Sequence, residues 1–174
     1  DLSELVEWAD VIDAARFPDA ETAIRRDTPA LELMMVVEAH GDTDFLAPLV
    51  ARLAEGAPLG QVAAEPAVRQ RLAPLREQHE RALEAVRRAA RYEQGVVRLE
   101  LPRQLDGRYP KFAPYWLFPG CGYAVAVVPS RRRVAISVGA NPWAPEPRRH
   151  HVASLCARYG GGGHAAVGGI TLGP

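Results

Sequence analysis

Lysine is nearly missing from these 174 residues: Lys111 is the only one among 21 basic side chains. The positive charge is therefore almost all guanidinium, the planar fork that pairs well with carboxylate and phosphate. With alanine so abundant, a GC-rich genome produces the same bias, and by itself it names no ligand. Cysteine is also scarce. Cys121 and Cys156 are the only two, which make neither a disulfide framework nor a paired metal knuckle, and a reducing cytoplasm is the expected compartment. No apolar run approaches the ~18–20 residues of a membrane-spanning helix, and the first residues do not read as a signal peptide. No membrane partner is expected. No internal repeat is visible, and HxxxH, HExxH and GxSxG are all absent, which removes the common zinc-hydrolase and serine-hydrolase arrangements. What remains is 48% apolar and 24% charged, an ordinary globular composition that leaves room for one large domain or two small ones.

The net charge of zero hides a division. Residues 1–65 carry 14 acids and four bases, and residues 66–174 carry seven acids and 17 bases, so the halves stand at −10 and +10. The basic half is the one suited to an anionic ligand.

Periodicity separates the same halves. Leu2, Leu5, Ala9 and Ile12 fall on one helical stripe that Pro18 ends. Asp27-Thr28-Pro29 opens a helix over Ala30–His40, with Gly41 at a left-handed C-terminal position. Asp42 begins another helix that runs to about Ala54, and a short one follows over Leu59–Ala64. A charged helical stretch over 66–93 is expected to break at Pro74. Glu77–Arg81 and Glu84–Arg88 are spaced to pair along it. After Gly95 the period falls to two. Strands are expected at Val96–Leu101, Tyr123–Val128 (apolar enough for burial on both faces), Arg133–Val138 and Ile170–Leu172, with a hairpin turn at residues 129–132. Pro147–Tyr159 reads as a helix with Val152, Leu155, Cys156 and Tyr159 on its apolar stripe. The fold class is α/β: a helical segment over 1–65, a connecting helix over 66–93, and a small mixed-sheet α/β domain over 94–174.

Four consecutive glycines, Gly160–Gly163, followed by His164, need a reason, because glycine loses the most backbone freedom on folding. One reason is an anion site. Positive-φ glycines turn successive amides inward, a helix starting near His164 adds its positive end, and the imidazole donates to a phosphate oxygen. The other is a flexible linker or a crowded turn. Arg148 and Arg149 stand at the start of the expected preceding helix and Arg158 at its end, all suited to phosphate. Arg131, Arg132 and Arg133 read either as further contacts or as a solvated turn. His150 and His151 point about 100° apart on a helix and no Cys or carboxylate completes a set, so a metal there is rejected. Asp10 and Asp13 share a helix face. They suit a hard cation or simply face solvent. Tyr115, Trp116 and Trp143 offer stacking for bases or packing for the core.

The run ARYGGGGHAAVGGITL resembles the glycine–histidine signature of the DHHA1 domain. Gly161, Gly162, Gly163 and His164 match it, Gly169 falls on its last glycine, and Val167 stands where alanine is usual. Together with RVAISVGANPW upstream, this resembles the exopolyphosphatase-related bacterial branch of the DHH/DHHA1 phosphoesterases over about residues 95–172. WADVIDAA, Trp8–Ala15, is similar to the end of the DHH domain, which makes Asp10 the candidate metal ligand and Asp13 the second.

The resemblance implies a two-domain hydrolase in which Mn²⁺ or Mg²⁺ ions on the DHH domain generate hydroxide. The DHHA1 domain would hold the phosphates of its substrate. Oligonucleotide, single-stranded nucleic acid, cyclic dinucleotide and polyphosphate are the substrate classes it brings. No Asp-His-His occurs among the five histidines His40, His79, His150, His151 and His164. The expectation is therefore a C-terminal portion, inactive on phosphoesters alone, whose candidate partners are a phosphate-bearing substrate, an N-terminal DHH domain and a second copy in a homodimer. The alternatives are a stand-alone DHHA1-type nucleic-acid-binding module, like that appended to alanyl-tRNA synthetases, and a plain scaffold domain.

Overall fold

The computed structural model describes residues 2–103, 109–130 and 133–173. The chain forms two compact units, one up to Gln78 and one from His79 onward. The first is helical: α1 Ser3–Asp13, α2 Ala20–Arg25, α3 Pro29–Ala39, α4 Thr43–Ala54, α5 Leu59–Ala63 and the first part of α6 Pro66–Ala89. Its core gathers Val36, Phe45, Leu49, Val62, Val68 and Leu72, with Leu5 and Trp8 packed against it. Asp42 caps α4 by accepting from the Phe45 amide at 2.9 Å, one of the donors that a helix start leaves without an internal partner.

The second unit holds a six-stranded sheet in the order β1-β2-β3-β4-β6-β5. Its strands are β1 Arg91–Glu93, β2 Val96–Glu100, β3 Tyr123–Pro129, β4 Val134–Ala140, β5 Gly162–Gly163 and β6 Val167–Leu172. Only β2 and β3 are parallel, and α7 Ala113–Leu117 lies in the crossover between them. The sixth strand follows α8 Val152–Ala157. The mixed α/β class and the order of helices before sheet are as the sequence predicts. No helix among the described residues is long and apolar enough to cross a membrane.

Several local expectations are corrected. Pro74 does not divide the connecting helix. α6 runs through it, because the buried stripe of Val68 and Leu72 resumes at Ala82, Leu83 and Val86, and that packing outweighs one lost helical hydrogen bond. Along α6 the Glu84–Arg88 pair forms at 3.4 Å. α1 stops at Asp13 rather than at Pro18, with Ala15 left-handed at φ 51°. α3 ends through His40 at φ −131°, and Gly41 is not left-handed. β3 alternates rather than being buried on both faces: Ala124, Ala126 and Val128 are buried and the residues between them are half-buried. The helix expected from Pro147 begins only at Val152, because the Arg149 and His150 amides donate to the Tyr123 hydroxyl at 3.0 and 2.9 Å instead of entering a helical ladder. The last strand begins at Val167 rather than Ile170, and α2, β1, α7 and β5 carry no sequence signal strong enough to announce them. β3 and β4 form the expected hairpin. Arg131 and Arg132, in its turn, lie outside the described residues.

Candidate functional site

The glycine run begins as a helix stop. Gly160, at φ 75°, donates to the Ala157 carbonyl at 3.2 Å, and the Gly161 amide reaches back to the Cys156 carbonyl at 2.9 Å. This is the paired closure of a Schellman motif. Three further glycines are required by close contact. A Cβ at Gly161 would lie 2.2 Å from the Gly169 carbonyl oxygen, one at Gly163 (φ 145°) 2.3 Å from that of Val167, and one at Gly168 2.7 Å from Cys156 Sγ. Gly162 differs from all of these. A Cβ there would meet nothing within 4 Å, and its ladder partner Gly169 has only the Ile136 carbonyl oxygen at 3.5 Å. Both are exposed, and no internal contact asks either to be glycine.

No helix starts at His164. β5 and β6 form a hairpin, with the His164 amide donating to the Val167 carbonyl at 2.7 Å. The His164 carbonyl accepts from the Ala153 amide at 3.1 Å, and that of Ala165 from the Val152 amide at 3.0 Å. The amides of Gly160, Gly161 and His164 are therefore engaged within the chain, and the first N–H groups of α8 point at the hairpin's own carbonyls. Positive φ occurs only at Gly160 and Gly163 of the run. The expected inward-facing nest is thus replaced by a crowded turn from which Gly162 and the exposed His164 side chain emerge. That imidazole has no partner among the described residues.

Register identifies the face onto which Gly162 opens. Gly162 opposes Gly169, Gly169 opposes Ser137, and Ser137 opposes Ala126. Directly opposed residues share a face, so these four small residues form one row, exposed at Gly162 and Gly169, half-buried at Ser137 and closed at Ala126. α8 packs on the other side, where Gly168 meets Cys156 and Val152. Beside the row, Tyr115 brings its hydroxyl to within 2.5 Å of where a Gly139 Cβ would stand, and Ser137 acts on the nearby Tyr109 phenol. Burial raises both phenols above their ordinary value, partly offset at Tyr109 by Ser137 and reinforced at Tyr115 by Cys121 and Tyr109. Both therefore stay neutral hydroxyls at physiological pH, able to donate as well as accept. Sequence reasoning missed Tyr109 and Ser137. The only trace was the run of small residues in β4.

The predicted cations are not all gathered there. Arg148 and Arg149 lie in the extended approach to α8, and the backbone of Arg149 is held by Tyr123, whose neighbours belong to the α8 face. Arg158 is the C-cap of α8, two residues before the glycine run. Tyr115 is buried, Trp143 packs edge-on against Phe112 with ring centres 5.4 Å apart, and Trp116 lies under Arg87 at 5.1 Å. All three aromatics thus have contacts within the chain. In the first unit, Asp10 is exposed and ion-paired with Arg16, and Asp13 is one helical turn further along α1. Among the described residues no group of three or more His, Cys, Asp or Glu side chains is arranged to hold a metal ion.

The pGpG-specific phosphodiesterase PggH from Vibrio cholerae superposes on 99% of this chain with a TM-score of 0.79, at 20% sequence identity. An uncharacterized protein from Helicobacter pylori G27 aligns with 71% of this chain and 38% of its own length, at 13% identity and a TM-score of 0.33. No family model matches the chain, and no curated protein matches it. The chain spans 61% of the length of PggH, and its fold is that of the matched part of that protein.

Proposed function

We propose that the chain is the C-terminal, phosphate-binding portion of a DHH-type metal-dependent phosphoesterase, acting on a short oligonucleotide or dinucleotide. The observation that carries the reading is the Gly162–Gly169 pair. These are two opposed glycines with no internal need to lack a side chain, open beside an unpartnered imidazole, on a fold shared with a phosphodiesterase of pGpG. A side-chain-free floor lets a phosphate or ribose approach the sheet closely. His164 then donates to a phosphate oxygen from the hairpin tip, and the neutral Tyr109 hydroxyl offers a donor along the same row. These groups bind and orient.

The Mn²⁺ or Mg²⁺ chemistry of such enzymes is not assembled by the side chains described. Asp10 already pairs with Arg16, and no third donor joins Asp10 and Asp13. Asp10 would be one ligand of a larger set, and because the sequence has no Asp-His-His the chain alone is expected not to hydrolyse phosphoesters. Mn²⁺-dependent turnover of pGpG by the purified chain would refute that part.

The binding part is tested by titrating pGpG into the chain at 50 and 200 mM salt. Affinity is expected to fall with salt, as it does when phosphates are gripped by cations, and to fall about tenfold in Gly162→Ala and in His164→Ala while melting stays unchanged. Unchanged binding in both variants removes the hairpin from the account. Equal grip on any single-stranded oligonucleotide favours the stand-alone nucleic-acid-binding module.

A further inference from the structure

We propose that His151 is a pH-sensitive positioning residue for the glycine–histidine hairpin. It is the N-cap of α8, at φ −85° and ψ 104°, and its Nδ1 accepts from the Ser154 amide at 3.3 Å. An N-cap side chain is ordinarily Ser, Thr, Asp or Asn, whose oxygen accepts at any pH near neutral. Imidazole does so only while Nδ1 carries no proton. The Ser154 hydroxyl lies 3.1 Å from the same nitrogen. A protonated Nδ1 can keep the hydroxyl as an acceptor, but it can no longer receive the amide. It also places a positive charge at the positive end of a helix.

The consequence reaches the hairpin tip because the first turn of α8 is hydrogen-bonded to it. The two amides that follow His151, those of Val152 and Ala153, are the donors to the carbonyls of Ala165 and His164. The cap, the first turn of α8 and the hairpin tip therefore form one hydrogen-bonded unit. Fraying that turn releases the residue whose imidazole stands at the proposed phosphate site.

Among the described residues, no carboxylate is found against His151 to compensate the added charge. α8 packs against β4, β5 and β6, whose sequences VAISVGA, GG and VGGITL hold no ionisable side chain. Cys156 is in the helix itself, Arg158 caps its far end, and His164 is in the tip. Arg148, Arg149 and His150 precede His151, His150 tilting against the Tyr123 ring at 5.7 Å. The one carboxylate in that approach, Glu146, lies 3.8 Å from Arg149. The order of the hairpin is thus linked to the unprotonated state of His151 and weakens when Nδ1 takes up a proton.

The test reads the hairpin directly. Hydrogen exchange of the Val152 and Ala153 amides, resolved by NMR, is followed in the intact chain from pH 8 to pH 5, with intrinsic exchange rates divided out. In the unsubstituted chain the protection factor is expected to fall about fivefold or more across that range. His151→Asp supplies a cap that stays an acceptor, and protection should then remain nearly flat although His164 is still present. His151→Ala should show low protection at every pH. A flat profile in the unsubstituted chain, or an unaltered fall in His151→Asp, overturns the proposal. The link to binding rests on the phosphate-site reading, and pGpG titrations at pH 7.5 and 5.5 examine it separately. If pGpG does not bind at all, the exchange profile still decides the role of His151.

Discussion

In the first unit most of the arginines meet a carboxylate of the same unit. The side chain of Glu32 is only 8% exposed, and its Oε1 takes Arg69 at 2.9 Å and Arg76 at 2.5 Å. Arg52 reaches Glu65, Arg25 pairs with Glu21, and Arg26 lies 3.8 Å from Glu38. Around the hairpin of the second unit the situation reverses. Arg148, Arg158 and His164 have no carboxylate partner among the described residues, and Arg149 alone meets an acid. The same residue type therefore does two jobs. A guanidinium already matched to a carboxylate holds helices together, whereas one left unmatched near the glycine run is, under the proposed function, free for a phosphate. Counting arginines does not distinguish the two, whereas finding their partners does.

That contrast can be broken in order of effect. Gly161→Ala or Gly163→Ala drives a Cβ into a backbone oxygen and should cost about 3 kcal/mol of stability, far more than Gly162→Ala; equal midpoints in urea for the three variants would deny that the run contains two kinds of glycine. Glu32→Gln leaves two arginines without their shared charge and should cost about 2 kcal/mol, read by the same denaturation. Arg158→Ala belongs to the other class. Its stability should change by less than about 0.5 kcal/mol, while pGpG affinity drops about fivefold, the scale of one charge-assisted hydrogen bond partly made by solvent. Arg148→Ala should lose less, because its segment lies toward the α8 face.

The smallest effect concerns acid. Asp19 caps α2 by accepting from the Thr22 amide at 2.7 Å, and the backbone and side chain of Thr22 hold its carboxyl below the usual value. A carboxyl lowered in the folded state stabilises above its unfolded titration, near pH 4, and that contribution is lost as pH falls. Asp19→Asn should remove this part of the acid sensitivity and leave the neutral-pH midpoint almost unchanged.

In the first unit the openings of α3 and α4 and the end of α4 were legible because local residues mark them. Pro29 at the opening of α3, Asp42 before α4 and Gly56, left-handed at φ 87°, after it are local signals acting on local structure. The failures share another cause, since their reasons lie far along the chain. α8 is short because the Tyr123 hydroxyl, on another strand, takes the two amides that would have extended it. β5 carries only glycine, so no side-chain pattern could mark it, and its partner is fixed by contacts to Gly168 and Gly169. For the site, the glycine–histidine run was visible from the start, but which glycine is open was not. That depends on what lies across the ladder. Tyr109 and Ser137 became neighbours only through the fold.

The topology also orders events in time. β3 and β4 are joined by a short turn, whereas β4 and β6 pair only after the chain has travelled out through α8 and back. The hairpin tip waits longer still, since its carbonyls are satisfied by α8 amides that must already be in place. Because loop closure costs entropy before distant pairings repay it, the strand pair β3–β4 is expected to gain protection early in refolding and the 162–168 tip last. In pulse-labelled exchange, the Val125–Val138 region should therefore be protected while the His164 amide still exchanges freely. A refolding chain would thus acquire its sheet before its hairpin tip, and simultaneous protection of both regions would show that the tip is part of the folding nucleus instead.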